Sequence, residues 1–229
     1  MDIAGHISKI KEQLGEHVCL VAVSKTKTIQ EIEEAYHAGQ RIFGENKVQE
    51  LTEKAGRLPH DIGWHFIGHL QTNKVKYIAP FIALIHSVDS FKLLKTIDRE
   101  GQKNNRKIRC LLQFHIAEEE TKFGFDLTEA VEVLSSPEFS KLEHVELCGV
   151  MGMATNTDDE GQVRKEFTVL KNIFIEMKGK FFGRQDSFSE ISMGMSGDYG
   201  IAVEEGSTMV RVGSLIFGER DYSKNWKEE

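Results

Sequence analysis

The alternation of short β-rich runs with helical segments is the feature that most restricts how this 229-residue chain can fold. Eight short runs, most of them apolar, predict strands at 18–23, 41–44, 63–67, 82–87, 108–115, 145–150, 189–192 and 209–213. Helical patterns lie between them, near 28–38, 46–57, 71–78, 90–103, 126–135, 158–178 and 198–205. Strands that alternate with helices indicate a parallel sheet, because each crossover connection needs a helix's length of chain.

Eight strands is also the number that closes a (β/α)8 barrel. We therefore predict an α/β fold, a single TIM-like barrel domain over residues 1–229, with an extra N-terminal helix near 2–14. A doubly wound open sheet is the alternative, since the sequence does not show closure. No linker, low-complexity stretch or internal repeat divides the chain.

Composition and charge exclude several function classes. The formal net charge of −7 argues against a general nucleic-acid binder, which needs a basic face. Cys19, Cys110 and Cys148 lie far apart, so they form neither a disulfide framework nor a zinc-binding pattern, and we expect buried thiols and no metal. No window approaches 18 apolar residues, and the N-terminus does not resemble a signal peptide. We expect a cytoplasmic protein without a membrane span.

Lys25 is the first candidate functional residue. It lies in VAVSKTKT, at the C-terminal end of the first predicted strand, and catalytic groups of parallel barrels occur at that end. An amine there, partly desolvated and near other cations, can attack a carbonyl to form a Schiff base. The alternative is a lysine that merely solvates a loop.

The last two loops of the predicted barrel suggest a phosphate site. Ser196 and Gly197 follow the seventh strand, and Gly213 and Ser214 follow the eighth. Loops after these two strands commonly bind phosphate in this fold, with glycines allowing close approach and serines donating hydrogen bonds. For the first loop alone, a helix N-cap is the more ordinary explanation, and it is the pairing with Gly213 and Ser214 in the next loop that supports a phosphate site.

Arg211 lies within the eighth predicted strand, which is otherwise apolar. An arginine that points into a ligand cavity could donate to a ring nitrogen and keep it unprotonated. The alternative is a structural ion pair with a carboxylate such as Glu45 or Glu219.

Together these residues resemble the fold-type III pyridoxal-phosphate proteins, and more closely the small single-domain pyridoxal phosphate homeostasis proteins. The similarity covers roughly residues 15 to 223. The motifs that carry it are, in order, VAVSKTKT, RIFGENKVQE, WHFIGHLQTNK, KFGF, GVMGMAT, SMGMSGDY and GSTMVRVGSLIFGERDY.

The resemblance implies pyridoxal 5'-phosphate as cofactor, held by Lys25 as an internal aldimine. It further implies that Arg211 faces the pyridine nitrogen. The phosphate ligands would be Ser196, Gly197, Gly213 and Ser214, and the residues near the ring would be Asn46, His69, Met153 and Met195.

Two further residues bear on the same resemblance. Lys122, in KFGF, matches a family lysine near the rim, although a lysine beside three glutamates is usually a solvated charge pair. His115 is a departure, because family members more often have asparagine at this position.

The resemblance leads us to expect a binding protein rather than an enzyme. Racemases of this fold type carry a second β domain, and this chain ends about where the barrel ends. We expect a monomer that carries pyridoxal phosphate, with recipient apoenzymes as candidate partners. The alternatives are a slow pyridoxal-phosphate-dependent amino-acid racemase or lyase, and a cofactor-free Schiff-base aldolase.

Overall fold

The computed structural model describes residues 2–118 and 123–219, and in that part eight parallel strands close into a barrel in chain order. The strands are β1 Cys19–Val23, β2 Ile42–Glu45, β3 Gly63–Phe66, β4 Leu84–Val88, β5 Ile108–Gln113, β6 Val145–Met151, β7 Glu190–Ser192 and β8 Met209–Val212. Strand β1 pairs with β8 as well as with β2, so the sheet is closed and not open. The predicted (β/α)8 barrel is confirmed, and every strand boundary lies within two residues of its predicted place.

Helices surround the barrel. They are α1 Ile3–Leu14, α2 Ile29–His37, α3 Val48–Arg57, α4 Val75–Ile78, α5 Phe91–Lys103, α6 Leu127–Ser135, α7 Glu160–Phe181, α8 Tyr199–Glu204 and α9 Ser214–Phe217. Short 3₁₀ turns lie at Thr72–Lys74 and Phe139–Lys141. The sequence did not predict α9, because four residues are too few for a periodic pattern.

The predicted N-terminal helix is α1. Asp2 caps it by accepting a hydrogen bond from the N–H of Gly5 at 2.8 Å. Its buried face comprises Ile3, Ile7, Ile10 and Leu14, a helical spacing. This face contacts α2 and α9, so α1 packs on the outside of the barrel where its first and last strands meet.

The strands separate two cores. Along β1, Leu20 and Ala22 face the helices and belong to the large outer core, whereas Val21 faces the barrel axis. The inner core is a small apolar cluster made of Val21, Leu84, Leu111, Cys148, Met151 and Met209. Polar side chains inside the barrel therefore lie nearer the C-terminal ends of the strands, where β8 places Arg211 two residues beyond Met209.

The three cysteines are free, and Cys110 and Cys148 are fully buried. Cys19 is only partly buried, yet burial still raises the pKa of its thiol to about 11. Among the described residues, no cluster of three or more His, Cys, Asp or Glu side chains is arranged to hold a metal ion. No described helix combines the length and the apolar character needed to cross a membrane.

Candidate functional site

Lys25 lies in a tight loop between β1 and α2. The N–H of Ser24 donates to the carbonyl of Gly44 at 3.0 Å, which extends the β1–β2 pairing up to the residue before Lys25. Thr26 has a positive φ of 64°, a conformation that is rare for a β-branched residue. Its N–H donates to Oε1 of Glu50 at 2.6 Å, so a carboxylate on α3 holds the strained residue beside Lys25.

A buried cluster of three charged residues supports this loop from below. Lys54 Nζ donates to Oε1 of Glu45 at 2.8 Å, to Oε1 of Glu50 at 2.7 Å and to the carbonyl of Ser24 at 2.8 Å. All three charged side chains are at most 2% exposed. We call Glu45, Glu50 and Lys54 the charged triad.

The charged triad contains two carboxylates for one ammonium. Burial, and to a lesser extent the charge of Glu50, raises the pKa of Glu45 to about 7, while Lys54 and the Ser24 hydroxyl oppose the rise. Near neutral pH, Glu45 therefore binds a proton part of the time. Its second oxygen, Oε2, is buried and has no hydrogen-bond partner among the described residues.

Arg211 projects from β8 into the barrel and is only 4% exposed. Its Nη1 donates to Oγ of Ser192 at 2.5 Å and its Nη2 to the carbonyl of Gly152 at 3.0 Å. Burial lowers the pKa of Arg211 to about 10, and the charge of Asp198 opposes this shift. Since that value is still far above neutrality, Arg211 is a buried cation. The ion pair with Glu45 or Glu219, considered from the sequence, is not found among the described contacts.

The loops after β7 and β8 contact each other. The N–H of Gly213 donates to Oγ of Ser196 at 3.3 Å, and the N–H of Arg211 donates to the carbonyl of Gly194 at 2.9 Å. Gly194 has a positive φ of 94°, where a side chain would be strained and would overlap with Ala202. Asp198 closes the first loop by accepting from the N–H of Met195 at 2.5 Å.

A cavity of about 410 Å³ opens at this end of the barrel. Nine of the ten predicted site residues line it: Lys25, Asn46, Met153, Met195, Ser196, Gly197, Arg211, Gly213 and Ser214. They come from five different loops or strand ends, as expected for a site at the C-terminal face of a barrel.

The tenth predicted residue, His69, is not among the residues that line this cavity. Its Nδ1 lies 3.0 Å from Oδ2 of Asp89, and its ring stacks on Phe123 with a centroid distance of 4.1 Å. These two contacts hold the imidazole at the rim, with 43% of the side chain exposed. His115 is likewise exposed and outside the lining, and Lys122 lies outside the described residues.

Sequence reasoning missed five residues that also line the cavity, namely Val23, Lys27, Ile67, Asn156 and Gly218. Lys27 is the most informative of them. Its Nζ donates to the carbonyl of Phe217 at 2.8 Å and pairs with Glu31 at 3.7 Å, so it ties the Lys25 loop to the end of α9. Its place in the same polar segment as Lys25, directly after the first predicted strand, was the available signal.

Comparison with known proteins defines the class to which this fold and cavity belong. The chain is a member of the family described as alanine racemase, N-terminal domain, whose sequence profile matches residues 2–221. Within that class it belongs with the pyridoxal phosphate homeostasis proteins. The relative of that name from Synechocystis sp. is 38% identical over 217 residues, which cover 93% of this chain and 96% of the relative.

Solved structures support the same family assignment. PipY of Synechococcus elongatus, solved with PLP bound, superimposes with a TM-score of 0.86 at 36% identity, covering 94% of this chain and all of PipY. Alanine racemase from Bartonella henselae matches with a TM-score of 0.74 at 16% identity, and the match covers 97% of this chain but 60% of the racemase. The second comparison shows a shared fold. The family expected from the sequence motifs is thus confirmed.

Proposed function

We propose that this chain is a pyridoxal phosphate-binding protein that contributes to the intracellular homeostasis of that cofactor. The observation that carries this proposal is one cavity lined by an amine, a buried guanidinium and two serine- and glycine-containing loops. PipY with PLP bound and the relatives named for pyridoxal phosphate homeostasis support the same assignment. When bound, this cofactor supplies an aldehyde that combines reversibly with amines and an electron-withdrawing ring.

The chemistry of the lining residues fits such a ligand. The Oδ1 atom of Asn46 is buried and has no partner among the described residues, as expected for an atom that meets a ligand. The Arg211 guanidinium carries five N–H donors, and the described contacts use two of its nitrogens. Met153 and Ile67 add apolar surface against which an aromatic ring can pack.

The phosphate would be held by the paired loops after β7 and β8. In the described part of the chain, the N–H groups of Ser196, Gly197 and Ser214 have no protein acceptor. These groups and the two serine hydroxyls form a set of donors suited to a phosphate dianion. Lys25 would bind the aldehyde covalently, Arg211 would face the ring nitrogen, and Asn46, Met153 and Met195 would contact the ring.

We further propose that the chain binds the cofactor without committing it to a reaction. Racemisation needs an acid–base group on each face of the substrate carbon. The ionisable residues among the described cavity lining are Lys25, Lys27 and Arg211, and the ammonium of Lys27 is engaged by Phe217 and Glu31. A guanidinium opposite the ring nitrogen also leaves that nitrogen unprotonated, which weakens the ring as an electron sink. Both features favour storage and exchange over turnover.

The first test is chemical. The protein is loaded with pyridoxal phosphate, its visible absorbance is recorded, and borohydride is added before peptide mass mapping. We expect the visible band to disappear and a pyridoxyl mass to remain on the peptide that contains Lys25. Lys25→Met should abolish both signals. Lys107 is exposed and directly precedes β5, at the end of the barrel away from the cavity, so Lys107→Met should leave both signals unchanged. A colourless protein that takes up no pyridoxal phosphate would refute the proposal and favour the cofactor-free aldolase.

The second test separates carriage from turnover. The loaded protein is incubated with amino acids in deuterated solvent, and exchange of the α-hydrogen is followed by NMR. A carrier should show little exchange and should transfer cofactor to a pyridoxal-phosphate-dependent apoenzyme, measured as recovered activity of that enzyme. Rapid exchange would instead support the racemase or lyase.

Oligomeric state and location complete the proposal. We propose a monomer that works in the cytoplasm, as expected from the sequence. Light scattering after gel filtration should give the mass of one chain, and cell fractionation should recover the protein with cytosolic markers.

A further inference from the structure

A polar layer lies inside the barrel directly under the cavity, and the proposed function leaves most of it unexplained. It comprises His65 on β3, His86 on β4, Ser192 on β7 and Arg211 on β8, none more than 5% exposed. On β4 and β8, these residues lie two positions beyond Leu84 and Met209 of the inner apolar cluster. The polar layer therefore lies on the cavity side of Leu84 and Met209.

The four side chains form one continuous hydrogen-bonded row. Arg211 Nη1 lies 2.5 Å from Ser192 Oγ, and Ser192 Oγ lies 2.9 Å from His86 Nδ1. His86 Nε2 lies 2.9 Å from His65 Nδ1. The row thus crosses the barrel from β8 to β3, and it ends at the guanidinium that lines the cavity.

The direction of the hydrogen bonds follows from the chemistry of the groups. A guanidinium can only donate, so Ser192 accepts from Arg211. The hydroxyl proton of Ser192 then points to His86 Nδ1, its partner in the described contacts, which makes His86 the Nε2–H tautomer. His86 donates in turn to Nδ1 of His65. Every bond of the row is then directed away from Arg211.

Both imidazoles are neutral. Burial lowers the pKa of His65 to about 3, and burial, with a smaller effect of the neighbouring His65 ring, which could not be protonated at the same time as His86, takes the pKa of His86 well below its ordinary value. Arg109 and Arg211 are the cations that oppose protonation of the two rings. A neutral ring is required for this arrangement, since a protonated His86 could not accept from Ser192.

We propose that His86, supported by His65, is a positioning residue that orients the Ser192 hydroxyl and thereby fixes the Arg211 guanidinium toward the ligand. Removing the row would leave Ser192 free to rotate and Arg211 with one fixed acceptor, the carbonyl of Gly152. Apolar side chains would fill this space without the cost of burying four polar groups, so the polar layer is better explained by orientation than by packing. The link to cofactor binding rests on the proposed function, whereas the orientation of Arg211 does not.

Two substitutions at His86 distinguish orientation from packing. His86→Asn retains an acceptor near the position of Nδ1 and so can still receive the Ser192 hydroxyl. His86→Leu fills the space with an apolar side chain and removes the acceptor. Orientation predicts that Asn preserves the function better than Leu, whereas packing alone predicts the reverse order. His60→Leu, at an exposed position outside the polar layer, is the control.

The first readout does not involve the cofactor. ¹⁵N NMR of the apo protein, with Arg211 assigned by its loss in Arg211→Lys, reports rotation of the guanidinium. We expect slow rotation in the wild type, His86→Asn and the control, and fast averaging in His86→Leu. If His86→Leu does not fold, as judged by circular dichroism, Ser192→Ala replaces it, because it breaks the same row one residue nearer to Arg211, by removing the acceptor of Nη1, with a small change in volume.

The second readout is the affinity for pyridoxal phosphate and the position of its absorbance band. We expect binding about tenfold weaker, with a shifted band, in His86→Leu or Ser192→Ala, and a change of no more than about threefold in His86→Asn. Unchanged guanidinium rotation in His86→Leu, or an affinity order in which Leu exceeds Asn, would overturn the proposal. If the NMR result is as expected but no variant or wild type binds the cofactor, the positioning role stands and the proposed function fails.

Discussion

Replacing Lys54 with methionine tests the role of the charged triad directly. Lys54 is 1% exposed and makes three hydrogen bonds of 2.7–2.8 Å, to Glu45, Glu50 and the carbonyl of Ser24. Methionine retains most of the side-chain volume and removes the charge, so the loss of packing is small. Two buried carboxylates then face each other without a cation.

The expected loss of stability is large. Removing one partner of a buried ion pair costs about 3–5 kcal/mol, a substantial part of the roughly 5–15 kcal/mol that a folded protein has in total. For a domain of this size, each kcal/mol lowers Tm by about 2–4 °C, so we expect Tm to fall by roughly 6–20 °C. The cost should be smaller at pH 5 than at pH 8, because protonation of Glu45 relieves the repulsion between the carboxylates.

Lys54→Met should also disturb the loop that holds Lys25. Glu50 holds the N–H of Thr26, and Lys54 holds the carbonyl of Ser24, so both neighbours of Lys25 lose support. The assays are urea unfolding at pH 5 and pH 8 and borohydride-trapped labelling of Lys25, with Lys107→Met as the matched control. A loss below about 1 kcal/mol at pH 8, the range of an exposed ion pair, would refute the argument that burial makes this triad important.

For three further substitutions, the structure gives the direction of the change in stability. The pKa of Glu45 in the folded protein is raised to about 7 from an ordinary value of 4.5, so its contribution to stability is full below pH 4.5 and is lost as the pH rises through 7. Glu45→Gln should remove this pH dependence. In urea unfolding, the stability of the variant relative to wild type should therefore improve by up to about 3 kcal/mol between pH 4.5 and 8. Gly149→Ala should destabilise the protein by about 2 kcal/mol or more, because φ of Gly149 is +153° and a Cβ would overlap with the carbonyl of Glu190. Gly56→Ala, in α3 with open space around it, should instead stabilise the protein by about 0.5–1 kcal/mol. Equal effects at the two positions would contradict this reasoning.

The barrel could be predicted from the sequence because buried parallel strands are nearly continuous apolar runs. The limits of that signal are visible at β4, predicted at 82–87 and found at Leu84–Val88. Ile82 is fully buried but packs in the outer core before the strand begins, and hydrophobicity alone does not distinguish the two positions. Similarly, α7 continues through Gly179 to Phe181, past the predicted end at 178.

The cavity was predictable for a different reason. Strand ends of a barrel converge on one face, so Lys25, Arg211 and the last two loops could be grouped once eight strands were counted. The supporting contacts were not predictable in this way. Glu50 and Lys54 have the spacing of an ordinary exposed pair on a helix, and only the fold shows that they are buried against Glu45. The row through His86 depends on ring orientation, which the sequence does not contain.

Closure of the barrel connects these networks. The pairing of β1 with β8 brings Lys27 within 2.8 Å of the carbonyl of Phe217, 190 residues away along the chain. The Lys25 loop is therefore held on one side by Lys27 and the end of α9, and on the other by Lys54 and the charged triad. Arg211 lies on β8 itself. The Lys25 amine and the Arg211 guanidinium therefore keep their relative positions only while β1 and β8 stay paired. We infer that any change that opens the β1–β8 edge will affect both proposed roles together, covalent binding by Lys25 and recognition of the ring by Arg211, whereas changes at His86 will affect only the proposed role of Arg211.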